Sequence, residues 1–272
     1  MKVASNRLAV LGSPISHSRS PLIHALAYRE LNFSATYERF EVTAEAFEEF
    51  IAEHSTSEWR GFSLTMPLKD VASQVIPKTE SMVKVATAAN TLVSQDGEWV
   101  GYNTDIFGFQ YLFEKYRLLN ESISVSILGA GGTARAAIIA LENHFGTVKL
   151  FRRNPERDAA ILRANHKVEI MNWSEITQAF DADLLINTLP ESGIASLDGM
   201  IRKVSFAVDA LYHPWPTLLG RVQSEKFLSG KDLLVAQAIR QIELFSGISF
   251  DRDEMFKKLR TAFDNPQEFQ SR

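Results

Sequence analysis

Two groups of residues have types and spacings that could do chemistry. From position 128 the chain reads Leu-Gly-Ala-Gly-Gly-Thr-Ala-Arg, and Gly129, Gly131 and Ala134 fill a GxGxx(G/A) pattern completed by Ala130, Gly132 and Thr133. The first glycine permits a tight turn, and the second lets backbone N–H groups approach a pyrophosphate. The small third residue lets helix and strand pack closely, while the helix N-terminus adds partial positive charge. An NAD site usually shows Asp or Glu about twenty residues further on, for the ribose 2′-hydroxyl. Here that strand ends in Arg152-Arg153-Asn154-Pro155-Glu156-Arg157. Arg152 and Arg153, with Arg157 a turn beyond, suit bidentate contact with a 2′-phosphate, which favours NADP over NAD.

The second group lies in the first hundred residues. Gly12-Ser13-Pro14-Ile15-Ser16-His17-Ser18-Arg19-Ser20-Pro21 crowds hydroxyls between a strand end and a helix start. Helix capping accounts for Ser20 but not for Ser18, so a carboxylate or polyhydroxylated ligand is one reading and a solvated turn the other. Thr65 and Lys69 follow another strand end, where open α/β sheets bind ligands. Asp105 opens a helix, where it could also do no more than complement the helix dipole.

These residues need strands and helices to position them, and the apolar pattern supplies both. Strands are predicted at 8–11, 36–42 and 61–65, with helices from Ser20-Pro21 to about 31 and over 44–53. An Asp-Gly turn joins strands at 90–94 and 98–101, and a helix spans 103–119. From residue 124, strands at 125–128, 148–151, 168–171, 184–187 and 205–209 alternate with helices at 132–143 and 155–165. That alternation predicts a parallel sheet covered on both faces. The chain closes with two helices, one carrying an apolar stripe of Leu234, Ala238, Ile242 and Phe245, the other spanning 253–263. Gln237 shares a helix side with Leu233 and Leu244 and is expected to turn its amide toward a ligand.

Composition narrows the chemistry. The 272 residues contain no cysteine, which excludes disulfide frameworks, thiolate-held iron–sulfur clusters and Cys-ligated zinc. The six histidines show no HExxH pairing, so no metal site is expected. A net charge of −4 gives no electrostatic reason to expect nucleic acid or an acidic membrane as partner. No run approaches the ~20 apolar residues that span a bilayer, and the N-terminus has no signal-peptide core, so a cytoplasmic protein is expected.

The blocks GSPISHSRSP (12–21), SLTMPLK (63–69), AANTL (88–92), GYNTD (101–105), GAGGTAR (129–135), DALYHPWPT (209–217) and DLLVAQA (232–238) cover nearly the whole chain. In that order they resemble the shikimate dehydrogenase family. The resemblance implies an α/β substrate-binding domain made of residues 1–102 and 238–272, completed by the C-terminal helices, and a Rossmann-type NADP-binding domain over 103–237. It implies the reversible reduction of 3-dehydroshikimate to shikimate with NADPH, in aromatic amino-acid biosynthesis. Carried over, Lys69 and Asp105 would be the catalytic pair, and Ser18 and Ser20 would hold the substrate carboxylate. Thr65, Asn90, Asp105 and Gln237 would contact the ring hydroxyls, with Tyr212 nearby. The partner would be this small molecule alone, on a monomer or homodimer.

Some positions depart from the common family pattern. Arg152 stands where asparagine is frequent, Asp232 where glycine is, and residues 187–193 read Asn-Thr-Leu-Pro-Glu-Ser-Gly in place of N-A-T-S-x-G. Two other readings stay open: a quinate/shikimate dehydrogenase with relaxed substrate or NAD use, and a non-catalytic NADP-binding regulator. The regulator would be expected to have lost Lys69 or Asp105, and both are present.

Overall fold

The computed structural model describes residues 6–54, 56–119, 122–223 and 226–264. The chain divides into two units, Met1–Thr104 with Gln237–Arg272, and Asp105–Ala236. Asn103, Thr104 and Gln237 thereby fall in the first unit, whereas the sequence-based boundaries put them in the second.

The first unit contains β1 (Arg7–Gly12), α1 (Ser20–Glu30), β2 (Thr36–Glu41), α2 (Phe47–Glu53), β3 (Trp59–Leu64), α3 (Leu68–Val75), β4 (Lys78–Thr79), α4 (Ser81–Ala86), β5 (Thr91–Gln95) and β6 (Glu98–Tyr102). Its sheet runs β2-β1-β3-β5-β6-β4. The strand pairs β1–β2 and β1–β3 are parallel, whereas β5 lies antiparallel to β3 and β6. Leu11, Phe47, Trp59, Phe62, Leu68 and Leu92 anchor its core. The chain leaves this unit as α5 (Thr104–Lys115) begins. That helix ends before the predicted residue 119, and Arg117 follows at φ 49° in the left-handed region, which no right-handed helix accommodates.

The second unit continues with β7 (Val125–Leu128), α6 (Gly132–Ala140), β8 (Val148–Arg152), a 3-10 turn (Pro155–Arg157), α7 (Asp158–Ala164), β9 (Glu169–Asn172), a 3-10 segment (Trp173–Asp181), β10 (Leu184–Asn187), α8 (Glu191–Ala195), β11 (Phe206–Asp209), α9 (Leu218–Val222) and β12 (Phe227–Leu228). All its strand pairs are parallel, in the order β12-β11-β10-β7-β8-β9. Counted from its own first strand this is the doubly wound order 3-2-1-4-5-6, whose ligand crevice opens where β7 and β10 lead away in opposite directions. The predicted helix 155–165 is in fact split, because the Asn154 side chain accepts the Glu156 N–H at 2.9 Å and caps a 3-10 turn ahead of α7.

The chain ends with α10 (Gly230–Ser246) and α11 (Arg252–Asp264). The single stripe predicted for α10 understates it: Val235, Ala236, Ile239 and Gln241 are buried as well. A helix buried on most of its circumference has no one apolar face to read.

Candidate active site

In the first unit, the parallel strands β1 and β3 bring two loops together. A Cβ on Gly12, the last residue of β1, would collide with the Thr65 side chain and lie 2.9 Å from the Met66 carbonyl oxygen. Only glycine lets the serine-rich loop approach the Thr65 loop this closely. Ser13 N–H then donates to the Met66 carbonyl at 3.0 Å, and Thr65 N–H to the Leu11 carbonyl at 2.9 Å. Lys69 sits on the first turn of α3, and its carbonyl accepts the Ala89 N–H at 2.8 Å. That bond ties α3 to the segment leading into Asn90.

The capping role expected for Ser20 is not what the structure shows. Arg19 is the N-cap of α1 and makes no side-chain cap, while Ser20 and Pro21 are the first helical residues. The N–H of buried Ser20 donates instead to Ser18 Oγ at 3.4 Å. Pro21 in the first turn has no N–H for a capping side chain to take.

Asn90 sits at the centre of a buried polar cluster. Its Oδ1 accepts from Thr91 Oγ1 at 2.9 Å and from Thr104 N–H at 2.7 Å. Its Nδ2 donates to Thr104 Oγ1 at 3.0 Å and toward Gln237 Oε1 at 3.5 Å, and Thr104 Oγ1 donates to that same oxygen at 3.2 Å. The Gln237 amide oxygen therefore turns into the cluster, which the helix pattern alone did not indicate. Ser18, Ser20, Thr65, Lys69, Asn90 and Gln237 all belong to the first unit; Asp105 and Tyr212 belong to the second. Asp105 is buried in the first turn of α5, and Tyr212 is half-buried beyond β11.

In the second unit, Gly129 follows β7 at φ +104°, and a Cβ there would lie 2.6 Å from Thr188 Oγ1, just beyond β10. Gly131 caps α6, whose helical residues begin with Gly132, Thr133 and the fully buried Ala134. A Cβ on Gly131 would have only Arg157 Nη1 near it, at 3.4 Å. Open space over the start of α6, with a guanidinium at its edge, fits a dinucleotide phosphate.

The three arginines differ from one another. Arg153 lies over the Trp173 ring, 4.3 Å from its centroid, and donates to Ser196 Oγ at 2.7 Å and the Gly193 carbonyl at 3.2 Å. Arg152 donates from Nε and Nη2 to Asp158 and from Nη1 to Asn172. Direct phosphate contact was expected of Arg152; three of its five N–H donors are given to Asp158 and Asn172 within the protein. Asp232, at the usual glycine position, accepts from both the N–H and the hydroxyl of Ser229 at 2.8 Å and so caps the start of α10. Burial raises the Asp209 carboxyl above its ordinary value, although Thr217 and Asn187 side chains and the Leu211 N–H bond to it. Asp209 thereby shapes the segment that carries Tyr212. No helix is long and apolar enough to cross a membrane, and no group of three His, Asp or Glu could hold a metal, among the described residues.

Fold and site together define a two-unit α/β protein with a doubly wound dinucleotide-binding sheet. A model of the shikimate dehydrogenase substrate binding domain matches residues 10–92. The chain is 32% identical to the shikimate dehydrogenase (NADP(+)) of Desulfitobacterium hafniense, over 93% of this chain and 97% of the relative. It is 29% identical to that of Caldanaerobacter subterraneus, over 96% and 99%. The shikimate dehydrogenase structure from Mycobacterium tuberculosis superposes with a TM-score of 0.82 at 30% identity, covering 94% of this chain and 99% of that one. A shikimate 5-dehydrogenase from Thermus thermophilus, in complex with NADP(H) and shikimate, gives 0.77 at 28%, covering 94% and 99%. The chain belongs to the shikimate dehydrogenase family.

Proposed function

We propose that the protein reversibly reduces 3-dehydroshikimate to shikimate with NADPH, a soluble oxidoreductase working in the cytoplasm. The observation that carries the reading is the buried cluster around Asn90, which gathers amides and hydroxyls in a chain that also carries the glycine loop with Arg157 over it. In this reading the first unit recognises the substrate and the second holds the cofactor. Ser18 and Ser20 donate to the substrate carboxylate, and Thr65, Asn90, Asp105 and Gln237 take the ring hydroxyls, with Tyr212 beside them. The backbone of residues 129–134 holds the pyrophosphate, and Arg153 and Arg157 hold the 2′-phosphate. Arg152 acts through the loop that it braces.

When bound, NADPH supplies the hydride. The chain must then supply a proton to the oxygen that becomes an alcohol and positive charge while that oxygen gains electrons. Lys69 Nζ provides both, and Asp105 orients it. In the oxidative direction the same lysine takes the proton back. The direct test follows absorbance at the NADPH band after shikimate and NADP are mixed with wild type and with Lys69→Ala. Turnover by wild type and a loss of a hundredfold or more in kcat, with NADP affinity unchanged, are expected. Near-normal turnover in the variant would remove Lys69 from the mechanism.

A further inference from the structure

Behind the proposed substrate residues lies a second polar layer that the reaction does not use directly. Its hub is Gln241, 2% exposed and one helical turn beyond Gln237 on α10. Gln241 Nε2 donates to the Asn90 carbonyl at 3.2 Å and to Thr91 Oγ1 at 2.8 Å. A carbonyl can only accept, so the amide orientation is fixed and Oε1 faces the opposite way. There it accepts from Ser63 Oγ at 2.9 Å and from His24 Nε2 at 3.2 Å. His24 therefore carries its proton on Nε2, and its Nδ1 accepts from the Tyr28 hydroxyl at 2.9 Å.

The direction of every proton then follows. Ser63 has one proton and gives it to Gln241, so it accepts from the Tyr37 hydroxyl at 2.6 Å. On the other arm, Thr91 accepts from Gln241 and gives its proton to Asn90 Oδ1. That bond and the Thr104 N–H saturate the oxygen side of the Asn90 amide and turn its NH2 the other way.

We propose that Gln241 is a positioning residue for substrate recognition: through Thr91 it fixes the Asn90 amide, with Oδ1 turned to Thr91 and the NH2 turned to the Thr104 and Gln237 side chains. This rests on the assignment of Asn90 to the substrate.

Gln241→Glu tests it by removing donors while keeping size. An ionised carboxylate only accepts, so it strands Thr91 Oγ1 and faces the Asn90 carbonyl. A protonated one keeps a single O–H to give. The titratable or charged groups around it are His24, Tyr28 and Tyr37, with Arg60 acting on Tyr28. Burial lowers His24 to about 3 and raises both tyrosines above their ordinary value, so the native layer does not titrate near neutrality. In the variant, KM for shikimate relative to wild type is expected to rise about tenfold or more as pH increases and the new carboxylate ionises, while KM for NADP stays within about twofold. A pH-independent ratio, or equal changes in both KM values, would overturn the proposal.

A second readout needs no turnover. The side-chain amide signals of Asn90, identified by their absence from Asn90→Asp, are expected to shift in Gln241→Glu, and unchanged signals would overturn the positioning claim. A wild type that does not oxidise shikimate would instead overturn the functional reading, and the amide signals would still decide whether Gln241 orients Asn90.

Discussion

The guanidinium of Arg152 grips the carboxylate of Asp158 at two points, Nε to Oδ1 at 2.7 Å and Nη2 to Oδ2 at 2.8 Å. Its third nitrogen reaches Asn172 Oδ1 at 2.8 Å. One side chain thus ties together the end of β8, the first residue of α7 and the end of β9. The hydrogen bond from Arg152 holds the Asp158 carboxyl below the ordinary carboxylate value. Arg153 and Arg157 both sit in the loop that this fork closes.

The arginines should therefore separate kinetically. Arg157→Ala removes a guanidinium next to the glycine loop and should raise KM for NADP about tenfold or more while barely changing KM for NAD, since charge-assisted bonds to phosphate are the strong ones. Arg152→Ala only loosens the loop and should raise KM for NADP a few-fold. Steady-state kinetics with both cofactors decide the matter. An Arg152→Ala loss as large as that of Arg157→Ala would return Arg152 to direct phosphate contact.

His24 gives the first unit a built-in acid sensitivity. It is fully buried, stacked on Tyr37 with ring centroids 4.1 Å apart, and burial lowers its pKa to about 3 from 6.5. As pH falls below 6.5 the unfolded chain takes up a proton that the folded chain refuses. The stability present above that pH is then lost progressively down to about 3. The loss approaches about 1.4 kcal/mol per pH unit once the unfolded histidine is charged. Urea midpoints at pH 7.5 and 5.5 should fall for wild type and change less for His24→Gln. Parallel changes would mean that His24 is not the group responsible.

How much of this was legible in the sequence depends on how local each cause is. The strands at 125–128 and 184–187 were read to the residue, because short apolar runs between turn signals have few alternatives. The 3-10 segment Trp173–Asp181 was not read, although Asn172 and Glu175 form a capping box three residues apart, a signal the sequence does contain. β4 and α4 were missed as well, each too short to show a period, and so was α3, although Leu68, Val71, Ala72 and Val75 do carry one. The candidate residues themselves followed from motif blocks. Their mutual support did not: His24 and Gln241 are 217 positions apart, and a buried amide in a helix carries no local mark of its partner. Ser20 was misread as a cap because the helix starts one residue earlier than that role needs, with Arg19 at the N-cap and Ser20 already in the first turn.

Gly129, just past the end of β7, offers a last test, because two separate strains meet there. At φ +104° an alanine would adopt a backbone conformation that L residues rarely occupy, and its methyl would lie 2.6 Å from Thr188 Oγ1. Thr188 cannot simply swing aside, since Oγ1 donates to the Leu128 carbonyl at 2.7 Å. Gly129→Ala should therefore cost about 1–3 kcal/mol and lower the melting temperature by roughly 3–10 °C. Adding Thr188→Ala removes the clashing atom but leaves the dihedral strain, so the double variant should recover only part of the loss. Full recovery would assign the whole cost to the contact; no recovery would assign it to the backbone. Calorimetry of the wild type, both single variants and the double variant separates these outcomes without reference to turnover.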